Sequence, residues 1–227
     1  MKWTWSELNQ KANQMAHLLI EKGVNPKDHI AMLFSNQVEF VISFFAVLKT
    51  GATIIPLNVK LTQNEINKIL QLNDVKALIY HPNFSQLTES LPLSDKWLFS
   101  IHELGHLYLN LDIKQHVEDI SEILLTSGTT CDPKGVMLSH RAVYQSAMMM
   151  AYEMRMYTQD RILHLMPLTH SAPLNLMLIG AVFAGATSVL DKFTSPKKII
   201  GVYGERSDYT FFWRSYRLSV GIKSFTE

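Results

Sequence analysis

Leu124-Leu125-Thr126-Ser127-Gly128-Thr129-Thr130-Cys131-Asp132-Pro133-Lys134-Gly135-Val136-Met137-Leu138-Ser139-His140 decides how the rest of the chain is read. An apolar run, Ile123 to Leu125, gives way to hydroxyls, glycines, a proline and a lysine, then to a second apolar run and a Ser-His pair. That pattern predicts a strand, a tight loop, a second strand and a helix start. Successive backbone N–H groups in such a loop point inward as an anion-binding nest, and Ser127, Thr129 and Thr130 add short, orientable donors. Lys134 supplies a mobile cation, and Pro133 stiffens the approach to it. Phosphate binding is the chemistry suited to these groups. A Ser/Thr-rich surface turn is the plain alternative, since such residues favour loops for their own local hydrogen bonds. A Walker A loop is excluded, because that pattern ends in Gly-Lys-Ser/Thr whereas Lys134 lies between Pro133 and Gly135.

Upstream of this stretch, strands and helices alternate. Thr4-Trp5-Ser6-Glu7 has the spacing of a capping box, and Leu8, Ala12, Met15, Ala16 and Leu19 follow at helical spacing until Gly23. A strand is predicted at 29–34, then a helix capped by Asn36 and ended by Gly51, and a strand from Thr53 to Leu57. Thr62-Gln63-Asn64-Glu65 repeats the capping box, with Ile66, Ile69 and Leu70 on one face, and Lys76 to Tyr80 closes the unit as a strand. Downstream, strands are expected at 122–126, 135–138, 161–166 and 187–190, with helices from His140 to about Met154 and from about 173 to 184. Ser195-Pro196 opens a short helix, and Tyr209 to Phe212 is a last strand. The alternation predicts an α/β fold with doubly wound, mostly parallel sheets and flanking helices. The expected division is a first α/β layer at 1–80, an irregular connection at 81–121 containing a strand at Trp97 to Ser100, a second α/β layer at 122–212 carrying the loop, and a divergent tail at 213–227.

Composition narrows the class of protein. The 227 residues are 47% hydrophobic and 18% charged, the latter below the ~25% of an average soluble protein, so much of the chain is expected to be buried. A net charge of +1 without any basic tract leaves no case for nucleic acid. The single cysteine, Cys131, excludes an internal disulfide framework and a cysteine-cluster metal site. No export or transit pattern occurs at Met1 to Glu7, so a reducing, cytoplasmic location is expected. From Ile162 to Leu190 there is no Asp, Glu, Lys or Arg, long enough to pass the ~20-residue test for a membrane span. Pro167, His170, Pro173 and Asn175 interrupt that run, which is therefore read as a buried strand, loop, helix and strand.

Two other patterns compete with the loop. His102-Glu103-Leu104-Gly105-His106 matches the His-Glu-x-x-His spacing that sets two imidazoles on one helical face for zinc, with the glutamate as general base. The longer form of that motif needs a glycine and a third histidine, and Leu109 and Asp112 stand there instead. Zinc proteolysis is thus the minor reading, and no metal ligands are assigned. Met148, Met149 and Met150 are expected to pack a core-facing helix rather than to bind a soft metal.

Thr126-Ser127-Gly128-Thr129-Thr130-x-x-Pro133-Lys134-Gly135-Val136, followed by Leu138-Ser139-His140, resembles the phosphate-binding signature of the AMP-forming acyl-CoA synthetases. These belong to the adenylate-forming superfamily, with the peptide-synthetase adenylation domains and firefly luciferase. Leu48-Lys49-Thr50-Gly51-Ala52, Pro56-Leu57-Asn58, Pro167-Leu168-Thr169-His170 and Gly185-Ala186-Thr187 are similar to further segments of that family, so the likeness covers roughly residues 4 to 212. It implies a two-step reaction. A carboxylate, a fatty acid by expectation, attacks the α-phosphate of MgATP to give an acyl-adenylate and pyrophosphate, and coenzyme A then displaces AMP. Thr126, Ser127, Gly128, Thr129, Thr130, Lys134 and Gly135 would form the nucleotide-binding loop, gripping phosphate oxygens where charge accumulates on the leaving group. His170 would lie near the acyl pocket, the plain alternative being a half-buried histidine satisfied by its neighbours.

The chain also departs from the family pattern. Cys131 stands where glycine is usual, which puts the loop's local geometry in question. Beyond Phe212 the expected Gly-Ala-Pro-like turn is replaced by Trp213-Arg214-Ser215, and the later nucleotide and ribose motifs do not occur, nor does the C-terminal domain with its catalytic lysine. The expectation is accordingly an N-terminal portion of such an enzyme, with no catalytic residue assigned and the reaction not completed by this polypeptide alone; a non-catalytic remnant that folds but binds no nucleotide is the alternative.

Overall fold

The computed structural model describes residues 2–98, 104, 106–126 and 134–191. Two compact units, Met1–Val143 and Tyr144–Glu227, divide the chain. The short helix expected at Ser195-Pro196, the strand at Tyr209 to Phe212 and the tail lie outside the described residues.

In the first unit, α1 (Trp5–Glu21) begins at a complete capping box. The Thr4 hydroxyl accepts from the Glu7 N–H at 3.1 Å, and the Glu7 carboxylate accepts from the Thr4 N–H at 2.7 Å. That Thr4 N–H, together with the Thr4 hydroxyl donating to the same carboxylate at 2.8 Å, holds the Glu7 carboxyl below its usual range. Leu8, Ala12, Met15, Ala16 and Leu19 are buried at the spacing the sequence sets. After β1 (His29–Leu33) comes α2 (Val38–Lys49), which starts two residues beyond Asn36, with Gln37 at the cap position and no side-chain cap bond. Phe40, Ile42, Phe44, Ala46 and Val47 bury α2 on more than one side, because it is packed between α1 and the sheet. Gly51 ends it with φ +77, a left-handed backbone that a side chain would strain. β2 (Thr53–Pro56), α3 (Gln63–Leu72) and β3 (Val75–Tyr80) follow, α3 starting at the second capping box and burying Ile66, Ile69 and Leu70.

The connection is not wholly irregular. A 3₁₀ turn at Pro82–Phe84, α4 (Ser85–Glu89) and β4 (Asp95–Leu98) precede β5 (Ile120–Thr126) and β6 (Lys134–Ser139). The six strands form one sheet in the order β4-β3-β1-β2-β5-β6, all parallel except the antiparallel β5–β6 pair. The path from β1 to β2 and then back past β1 to β3 reverses direction, which with right-handed crossovers sets α2 and α3 on opposite faces. Ala31, Leu33, Ile55 and Leu57 pack with Ile66, Ile69 and Leu70 of α3, and the alternate residues Ile30, Met32 and Ile54 are fully buried on the other face. This is the doubly wound α/β arrangement expected. The division at residue 122 is not observed, however. β5 pairs in parallel with β2 at Ile54 and Glu122, so the hairpin belongs to the first sheet rather than opening a second layer.

α5 (His140–Glu153) crosses the boundary between the units. The second unit continues with β7 (Arg161–His164), a π-helical segment Ala172–Leu178 running directly into α6 (Ile179–Ala184), and β8 (Thr187–Leu190), parallel to β7. Its core joins Ala151, Met156, Ile162, Ala181 and Ala186, with Met150 packed against them. Met148 and Met149 are exposed, which corrects the expectation for the methionine triplet: at 3.6 residues per turn only Met150 of the three falls on the inner face. Among the described residues no helix is long and apolar enough to cross a membrane.

Candidate nucleotide-phosphate site

The loop leaves the carboxyl end of β5, and β5 runs parallel to β1, β2 and β3. Crevices at the carboxyl ends of parallel strands are where open α/β sheets hold ligands. Register fixes the mouth of the hairpin: Leu125 faces Gly135 and Thr126 faces Lys134. Ser127, Gly128, Thr129 and Thr130, with Cys131 to Pro133, lie outside the described residues.

Of the predicted nucleotide-binding residues, three are therefore described, and they do different things. Lys134 opens β6 and is exposed, leaving its ammonium in solvent at the mouth of the loop. The Thr126 hydroxyl donates to the Lys134 carbonyl at 3.3 Å, so it closes the hairpin and fixes the backbone from which the lysine projects. Gly135 is required by packing. A Cβ there would lie 2.6 Å from Cγ2 of Ile123, its diagonal neighbour on the same face, and 3.3 Å from Oδ1 of Asn73. The sequence places that glycine in the phosphate-gripping loop; in the structure it lies in the strand pairing.

The far end of the hairpin is anchored by the Leu-Ser-His segment. Ser139 Oγ accepts from the Ala142 N–H at 3.3 Å and so caps α5. The His140 N–H donates to the Asp119 carbonyl at 3.1 Å. Burial pushes the His140 imidazole below its usual pKa, opposed by the Asp119 carboxylate. Arg141 pairs with Glu118 beside it.

In the second unit, His170 lies on the turn between β7 and the π-helical segment and is exposed. Its N–H donates to the Pro167 carbonyl at 3.3 Å, and its carbonyl accepts from the Leu174 N–H at 3.1 Å. The sequence reading missed the buried polar groups around this turn: His164, Thr169 and Asn175 are each under a tenth exposed. His164 Nε2 shares a hydrogen bond with Ser188 Oγ at 3.1 Å, and burial pushes its pKa down to about 4. Only the lack of charged residues from Ile162 to Leu190 hinted that polar side chains there would be enclosed.

For the zinc alternative, His106 is exposed, while His102 and Glu103 lie outside the described residues. Among the described residues no group of three or more His, Cys, Asp or Glu side chains is disposed to hold a metal ion.

A doubly wound sheet whose carboxyl edge carries a hairpin with an exposed lysine at its mouth belongs to the class of open α/β domains that take ligands at that edge. Within that class, the sequence profile of the family described as AMP-binding enzyme matches residues 1–213, and the chain belongs to this family of adenylate-forming ligases. Gramicidin S synthase 2 of Brevibacillus brevis is 31% identical over 191 residues, a match covering 83% of this chain and 4% of that one. The crotonobetaine/carnitine–CoA ligase of an Escherichia coli strain is 29% identical over 209 residues, covering 83% of this chain and 40% of the ligase. The inhibitor-bound N-terminal domain of FACL13 from Mycobacterium tuberculosis superposes with a TM-score of 0.80 at 26% identity, over 89% of this chain and 53% of that domain. The chain thus spans about half, or less, of the length of these relatives.

Proposed function

We propose that this chain contributes the phosphate-gripping half of a site for ATP-dependent activation of a carboxylic acid, a fatty acid by preference, as its adenylate on the way to a coenzyme A thioester. The observation that carries the reading is Lys134, an exposed cation held by strand pairing at the mouth of a loop on the carboxyl edge of a parallel sheet. A carboxylate is a poor electrophile, and its activation leaves pyrophosphate, whose developing charge needs fixed donors. Lys134 meets that charge, together with the hydroxyls of Ser127, Thr129 and Thr130 and the amides of the loop. Thr126 and Gly135 act through the hairpin: one ties its mouth, the other lets its strands approach. Magnesium accompanies the nucleotide in this proposal and neutralises its phosphates. His170, on the turn before the π-helical segment, is the residue this proposal gives to the acyl group.

Likeness to the crotonobetaine/carnitine–CoA ligase supports the acyl-CoA reading. Likeness to gramicidin S synthase 2 supports a second one, in which the acid is an amino acid. Thermal unfolding with non-hydrolysable acyl-sulfamoyl adenosines separates the two, because a ligand that binds only the folded state raises the midpoint. A fatty-acyl compound is expected to raise it more than an aminoacyl one. The reverse order would replace the first reading with the second.

A further inference from the structure

β5 carries one residue more than the strand it pairs with. Ile120 faces Ser139 and Glu122 faces Leu138, which makes Ser121 the extra residue of a β-bulge. Burial leads to the same residue independently. Ile120, Ile123 and Leu125 all pack toward the α3 face, although side chains 120 and 123 of a regular strand point to opposite faces. One inserted residue between them accounts for the change of parity. The bulge is also held in place. Ser121, 2% exposed, donates its hydroxyl to the Leu138 carbonyl at 3.0 Å, and Thr53 Oγ1 donates to the Ile120 carbonyl at 2.9 Å. β2 meets β5 at Glu122, the residue next to the bulge, and the pairs from Ile123 to Thr126 are made with β6. The bulge therefore adds bend and twist at the root of the hairpin that carries Lys134.

We propose that Ser121 is a positioning residue: its bulge sets the bend and twist of the β5–β6 hairpin and so aims Lys134 at the nucleotide's phosphates. This rests on the phosphate-site reading of Lys134. Deleting Ser121 is an unusually clean perturbation, since the pairs Ile120–Ser139 and Glu122–Leu138 both survive and normal alternation is restored, leaving the register intact and the bend removed.

The test is calorimetric titration of MgATP into the full 227-residue chain, its Ser121 deletion, Ser121→Ala, Lys134→Ala and the deletion combined with Lys134→Ala. The deletion is expected to raise Kd about tenfold, and Ser121→Ala, which loses one hydrogen bond, about two- to tenfold. In the Lys134→Ala background the deletion is expected to add less than about twofold, because both changes act through the same contact. A Kd within about twofold of the parent in both single variants, or full additivity in the double variant, overturns the positioning role. Should the deletion fail to fold, Ser121→Ala alone and combined with Lys134→Ala decides by the same criteria. A parent chain that binds no MgATP overturns the phosphate reading and this one together; a parent that binds while the Ser121 variants match it overturns this one alone.

Discussion

At the residue scale, the side chains of the proposed site divide into those offered to a ligand and those that hold the frame. Gly135 belongs to the frame: with Ile123 Cγ2 only 2.6 Å from where its Cβ would stand, Gly135→Ala forces the pair apart. It is expected to destabilise the chain by about 1–3 kcal/mol in urea unfolding, and an unchanged midpoint would refute the packing account. His164 carries a pH signature. Its imidazole is held neutral, with a pKa near 4 against an ordinary 6.5, so the unfolded chain takes up a proton that the folded chain refuses. The contribution is nil above about pH 6.5, and stability falls as pH drops toward 4, by up to roughly 3 kcal/mol. Unfolding midpoints between pH 7 and 4 should decline more steeply for the parent than for His164→Asn; parallel declines would contradict the assignment. Single residues were only partly legible in the sequence. Lys134 stood out because a lysine flanked by proline and glycine after clustered hydroxyls is rare chemistry. The roles of Thr126 and Gly135 depend on partners across a hairpin, and no local pattern states a partner.

At the scale of elements, helices were the most legible because their signals are local. Both Thr-x-x-Glu boxes are formed, and the apolar positions of α1 and α3 are the buried ones. The contrast within α3 is testable. Ile69→Ala, at a fully buried position, is expected to cost about 2–5 kcal/mol. Leu72→Ala, at a position 62% exposed, should stay within about 0.5 kcal/mol, and equal costs in denaturant unfolding would contradict the assigned face. Two elements were hidden for physical reasons. The π-helical segment Ala172–Leu178 differs from an α-helix by a shift in hydrogen bonding that composition does not encode. The bulge at Ser121 shows only when β6 supplies the register and the core supplies the facing.

For the molecule as a whole, the alternation of strands and helices made the doubly wound class legible, while the membership of the sheet was not. β5 lies beside β2, more than sixty residues earlier in the chain, and pairing across that distance is set by burial and crossover handedness rather than by any nearby residue. That placement matters for function, because it brings the loop to the carboxyl edge of the same sheet that α1, α2 and α3 stabilise. The central claim is that this edge grips a nucleotide through Lys134. Calorimetric titration of MgATP into the purified chain and into Lys134→Ala tests it most directly. The account predicts saturable binding by the parent and a loss of about tenfold or more in the variant, the size of a charge-assisted contact to phosphate. Equal affinity in the two proteins, or no binding by the parent, would contradict it.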